Sequence, residues 1–105
     1  MFNIGTDIVF IPKIKKILTD SSFLNRVFHE DERTPFTAEH LAGIYAAKEA
    51  FFKALGKDPS WLSVHIKGKA PQCVLTPQLA QKIKHTSLSI SHDKEYAIAQ
   101  VLVEL

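Results

Sequence analysis

The stretch "TAEHLAGIYAAKEAFFKALG", residues 37–56, constrains the fold more than any other part of the chain. Thr37 is a good N-cap, Gly56 a good terminator, and no proline lies between them, so the spacing predicts one long helix over 38–55. Steps of about 100° per residue gather Leu41, Ile44, Tyr45, Phe51, Phe52 and Leu55 on one face. Lys48 falls inside that apolar face. Glu49 and Lys53 lie together at its edge, one turn apart. In the plain reading Glu49 and Lys53 are a surface ion pair worth roughly a few tenths of a kcal/mol, and Lys48 extends past the apolar face to water. In the functional reading, a partly desolvated edge holds ions and phosphates more strongly than open water allows. The helix alone leaves both open.

The rest of the chain supplies what such a helix packs against. "FNIGTDIVFI", residues 2–11, is rich in Ile, Val and Phe and predicts a strand. Pro12 opens a short basic and apolar helix ending near Asp20, and "SSFLNRVF" predicts a second one capped by Ser21 or Ser22. "HEDERTPF" reads as a charged loop. "WLSVHIKGK" alternates as a half-buried strand, "PQCVL" is a shorter strand, and Thr76 with Pro77 starts a helix expected to run to about Lys84. "TSLSISH" and "YAIAQVLVEL" flank the turn "HDKE" and predict a closing hairpin. The expected fold is a single domain over 1–105, α+β, with a mainly antiparallel sheet packed on the long helix.

With 105 residues, a core this small leaves room for self-association as a source of stability. A net charge of +2 suits an acidic partner and gives little reason to expect nucleic acid, which favours basic patches interleaved with aromatics. The lone Cys73 excludes an internal disulfide and argues against a cysteine zinc site, so a reduced, cytoplasmic setting is expected, with Cys73 a small core residue. No signal peptide is read at the start, and no apolar run approaches the roughly 18 residues that span a bilayer. His29, His40, His65 and His85 lack metal-ligand spacing and are expected in structural roles.

Three further places can carry chemistry. Asp7 interrupts the first strand, where an unpaired buried carboxylate would be costly. It either faces water or serves a hard cation. Magnesium takes one or two carboxylates plus waters and substrate phosphates, so Asp7 with Glu49 would suffice if the long helix crosses the end of the first strand. Ser89, Ser91 and His92 of "SISHD" can hold a phosphate at a strand end, or be a polar strand face. "GKAP", residues 68–71, is a turn.

Together these pieces resemble the holo-acyl-carrier-protein synthase family, the small phosphopantetheinyl transferases. The resemblance rests on "IGTDIVFIPKI", "FLNRVFHEDE", "LAGIYAAKEAFFKALG" and "SLSISHDKEYAIAQVLV", in that order. It implies transfer of the phosphopantetheine arm of coenzyme A to a serine of apo acyl carrier protein, with magnesium, in a homotrimer whose active sites lie between subunits. It implies that Asp7 and Glu49 ligate magnesium, that the serine proton is taken by Glu49 or by a metal-bound water that Glu49 orients, and that Lys53 contacts the phosphates. Lys48 would line the same cleft. Ser91 and His92 would reach a coenzyme A phosphate from the neighbouring subunit, with Gly68 and Lys69 against the adenosine end. The acidic carrier protein would dock on Lys13, Lys15 and Lys16 beside Ile14, Ile17 and Leu18, with Arg26 beyond. The chain departs from the family at Ile44-Tyr45, where an arginine-aromatic pair is usual, and in the short "KDPS" loop after Gly56. These departures motivate an alternative, a non-catalytic coenzyme A or carrier-protein binding module on the same fold.

Overall fold

The computed structural model describes residues 1–105. In chain order the elements are β1 (Phe2–Phe10), α1 (Ile11–Lys16), α2 (Ser21–Val27), α3 (Ala38–Leu55), β2 (Val64–Lys67), β3 (Gln72–Leu75), α4 (Pro77–Ala80), β4 (His85–Asp93) and β5 (Tyr96–Glu104). Short 3₁₀ turns occupy Glu30–Arg33 and Trp61–Ser63. β5 lies between β1 and β4 in an antiparallel three-stranded sheet, and β2 pairs with β3 in a separate antiparallel hairpin. The α+β architecture expected from the sequence is present.

Register fixes which side chains meet the helix. β1 pairs with β5 from Phe2 opposite Glu104 to Phe10 opposite Tyr96. β4 pairs with β5 from His85 opposite Glu104 to Asp93 opposite Tyr96. Because side chains alternate across a strand, Gly5, Asp7 and Val9 face α3 together with Ala97, Ala99, Val101 and Val103. Phe2, Ile4, Ile8, Tyr96 and Ile98 point the other way and are exposed.

α3 starts and stops as its ends predict. Thr37 Oγ1 accepts the His40 amide at 3.2 Å, and Gly56 takes φ 74° at the C-terminus. Its burial is broader than one apolar face. Ala42, Ala46, Ala47, Ala50 and Ala54 are buried as well as Leu41, Ile44, Phe51 and Phe52. The helix packs on β1, β5 and β4 and also meets α1, β2 and the Glu30–Arg33 turn. Small residues make the sheet contact close. A Cβ on Gly5 would fall on the Ala50 carbonyl and 2.7 Å from the Ala54 nitrogen, so strand and helix touch through backbone.

Several local expectations change. Asp20, rather than a serine, caps α2 by accepting the Phe23 amide at 3.1 Å. The charged loop contains the Glu30–Arg33 turn, and Glu32 is buried in it. Trp61–Ser63 is a turn capped by Ser60, which delays the strand to Val64. α4 ends at Ala80 instead of Lys84, because the Lys84 amide already bonds the Glu104 carbonyl at 2.7 Å as β4 begins.

Candidate active site

The close approach at Gly5 brings the inward side chain of Asp7 beneath the last turns of α3. Lys53 Nζ donates to Asp7 Oδ1 at 3.1 Å and to the Thr6 carbonyl at 3.0 Å. Lys53 therefore pairs across to the strand and not with Glu49, as the surface-pair reading of the helix had it. Burial pushes the Glu49 carboxyl above its usual range, the nearby Asp7 charge pushes it further, and Lys53 opposes both. A carboxylate whose proton affinity is raised by a neighbouring carboxylate charge is a place where an added cation is favourable. No group of three or more His, Cys, Asp or Glu side chains is arranged to hold a metal ion. The available donor set is two hard carboxylates, which fits magnesium held mainly by substrate phosphates and water. Tyr45, one turn before Glu49, stacks on Trp61 at 5.1 Å and walls this flank. Its phenol is pushed above the usual range by burial, then by Glu49 and Asp7.

A second feature lies on the other side of α3. A pocket of about 660 Å³ opens between α3, β4 and the β2–β3 hairpin. His40, Gly43 and Ile44 line it from the helix, His92 and Ile90 from β4, and Lys67, Gly68 and Lys69 from the hairpin. His92 Nε2 lies 2.9 Å from the Glu39 carbonyl. A carbonyl only accepts, so Nε2 carries the hydrogen and Nδ1 is left for a ligand. Gly43 permits this seat, since a Cβ there would come 2.9 Å from His92 Nε2 and 3.1 Å from Ile90 Cγ2. On the 100° helical step, His40 and Ile44 stand roughly 140–180° around α3 from Glu49 and Lys53, and Gly43 about 100°. One chain thus carries two candidate binding features on different flanks of one helix.

The positions expected from the sequence divide accordingly. Asp7, Glu49 and Lys53 come together, and Gly68, Lys69 and His92 come together in the pocket. Ser91 parts from His92. β4 runs on to Asp93, so neighbouring residues alternate, and Ser91 lies in the outer-face row with Ile98 and Ile8. Lys48 requires a correction. It does not line a cleft but is fully buried, donating to Glu32 Oε1 at 2.8 Å, the Val27 carbonyl at 2.7 Å and the Trp61 carbonyl at 3.1 Å. Its apolar-face position is inside the core, and burial pushes its pKa down against the bond to Glu32. On α1, Lys13, Lys15 and Lys16 are exposed, whereas Ile14 is in the core and Ile17 and Leu18 pack against it. Arg26 is exposed with its guanidinium 5.9 Å from the Phe23 ring centre.

Gly5, His40, Gly43, Lys67 and Glu32 were not singled out from sequence. Only Glu32 left a usable signal there: a lysine on an apolar face implies a buried acceptor, and "HEDE" was the acidic stretch at hand. Cys73 is partly buried, its thiol pushed up to about 11 by burial. His29 and His65 stack at 4.1 Å, a structural arrangement of two of the four scattered histidines.

Comparison with known proteins bears on the family and the fold. The family model described as the 4′-phosphopantetheinyl transferase superfamily matches residues 3–101. A holo-[acyl-carrier-protein] synthase of Campylobacter hominis is 39% identical over 120 aligned positions, covering 97% of each chain. The crystal structure of the Helicobacter pylori synthase in complex with coenzyme A superimposes with a TM-score of 0.91 at 34% identity, covering 96% of this chain and 99% of that one. The Bacillus anthracis synthase, solved in complex with CoA (3′,5′-ADP), gives a TM-score of 0.81 at 33% identity, covering 97% and 95%.

Proposed function

This chain belongs to the 4′-phosphopantetheinyl transferase superfamily, and we propose that it works as a holo-[acyl-carrier-protein] synthase. The reaction moves the 4′-phosphopantetheine arm of coenzyme A to a serine hydroxyl of apo acyl carrier protein and releases adenosine 3′,5′-bisphosphate. The observation that carries the reading is the Asp7, Glu49 and Lys53 group held by the Gly5 contact.

Attack on a pyrophosphate needs positioning and charge neutralisation more than covalent help. Lys53 leaves Asp7 for the diphosphate when substrate arrives, and its exposed side chain can make that move. Glu49 takes the serine proton, directly or through a metal-bound water that it orients, and burial beside Asp7 makes it a stronger base than a free carboxylate. Asp7 and Glu49 would hold magnesium, which when bound supplies charge to stabilise the leaving bisphosphate. His92, Lys67 and Lys69 hold the nucleotide end, with Gly68 giving the backbone turn.

The two half-sites face away from one another across α3, so a complete site requires a second copy. The exposed Ile4, Ile8, Tyr96 and Ile98 on the outer sheet face supply an apolar surface for that contact. This arrangement is compatible with a homotrimer whose sites lie between subunits, in which Ser91, on that same face, would sit near a boundary. Lys13, Lys16, the half-buried Ile17 and Arg26 form the docking surface for the acidic carrier protein. No helix is long and apolar enough to cross a membrane. The single, protonated Cys73 thiol suits a reducing cytoplasm.

The test is the intact mass of apo acyl carrier protein after incubation with this protein, coenzyme A and magnesium. A gain of one phosphopantetheine arm that disappears with chelator is expected. No gain across several carrier proteins would overturn the reading.

A further inference from the structure

The Glu32–Lys48 pair lies outside the reaction machinery, yet it is the most completely bonded group in the core. Lys48 Nζ uses all three donors, on Glu32 Oε1, the Val27 carbonyl and the Trp61 carbonyl. The Glu32 carboxylate accepts three, from Lys48, from the His29 amide at 2.7 Å and, through Oε2, from the Ile66 amide at 2.7 Å. Both side chains are fully buried. Five segments meet at one ion pair: the end of α2, the Glu30–Arg33 turn, α3, the Trp61–Ser63 turn and β2.

Stability alone is a weak reason to keep such a pair, because apolar residues of similar volume often serve as well. Its location gives another. Ile66 precedes Lys67, Gly68 and Lys69, and Glu32 itself reaches the pocket wall. Lys48 precedes Glu49, and Trp61 stacks on Tyr45 one turn before Glu49. We propose that Glu32 and Lys48 are positioning residues that lock the nucleotide-binding hairpin and the Glu49 turn of α3 to one another. The proposal rests on the functional reading above and adds a role to two residues that touch no substrate. A shift of about 1 Å at either half-site is enough to cost on the order of 100-fold in rate, so a rigid tie between them matters.

The test compares the native protein with Glu32→Gln and with the double variant E32Q/K48M. One glutamine oxygen cannot serve Lys48, His29 and Ile66 together. Calorimetric binding of adenosine 3′,5′-bisphosphate should weaken by about 10-fold or more, with KM for coenzyme A rising in parallel and kcat falling less. Amide exchange at Ile66 should accelerate. Variants that are folded by circular dichroism and keep native bisphosphate affinity, KM and kcat would overturn the positioning role, leaving a pair that only affects melting temperature. Should both variants fail to fold, Ile66 exchange in the native protein decides: bisphosphate binding should slow it several-fold, and an unchanged rate overturns the proposal. Transfer by the native protein is measured alongside. If the native protein is active while the variants are unaffected, only the positioning role fails; if the native protein lacks transfer, the functional reading itself fails.

Discussion

Two lysines of α3, Lys48 and Lys53, each bind a carboxylate from another part of the chain, and they behave as opposites. Lys48 meets Glu32 at 2.8 Å with both side chains 0% exposed. Lys53 meets Asp7 at 3.1 Å with side chains 54% and 15% exposed. The first pair has no water to fall back on, so removing one partner strands a buried charge. The second is close to solvent, is free to break, and contributes little to folding. The same ionic chemistry gives an anchor at one position and a movable contact one turn further on. Burial decides which.

Breaking the anchor should give the largest effect. Lys48→Met leaves Glu32 buried without its counter-charge and should cost about 3–5 kcal/mol in chemical denaturation. A loss below about 1 kcal/mol would mean the pair is not the anchor described. Glu49→Gln tests the other flank. Transfer should fall by about 100- to 1,000-fold with the fold retained, measured by the carrier-protein mass assay. Full activity would remove Glu49 from the chemistry. Lys53→Met sharpens the contrast directly. Unfolding free energy should change by less than about 0.5 kcal/mol, while kcat/KM drops by at least about 10-fold. Equal changes in the two quantities would erase the distinction between anchor and movable contact. Gly43→Ala should cost about 1–2 kcal/mol and weaken coenzyme A binding, because His92 must leave its seat on the Glu39 carbonyl.

The smallest expected effect is one of pH. The Glu49 pKa is raised in the folded protein, so the folded state holds this proton more tightly than the unfolded chain does. Its contribution to stability is fully present below the ordinary carboxylate range and is lost as pH rises through the raised value. Glu49→Gln should therefore raise the melting temperature slightly at neutral pH and give no gain in acid. A variant less stable than native at pH 7 would contradict the repulsion between Asp7 and Glu49.

Much of the fold was legible because local rules and tertiary packing agree. The ends of α3, the terminal hairpin and the interrupted strand at Asp7 all depend on neighbours in sequence, on caps, periodicity or alternation. The gathering of Asp7, Glu49 and Lys53 was legible for a related reason. Two charged residues one turn apart and one acid in an apolar strand need few assumptions to bring together. The pocket half was harder to read, since its walls come from α3, β4 and the β2–β3 hairpin. Ser91 and His92 were paired in the sequence reading, whereas the extended β4 separates them onto opposite faces.

Local sequence rules suffice for the long helix, its stop at Gly56, the antiparallel class and the row Glu49, Lys53 on one helical edge. Those are consequences of backbone preference and side-chain period, which act over a few residues. Long-range packing set the rest: Lys48 faces inward to Glu32, Lys53 reaches Asp7, and His92 rests on Gly43. Each of those contacts joins residues 16 or more positions apart. A charge's role there is set by who shares its burial, and burial is a property of the assembled fold.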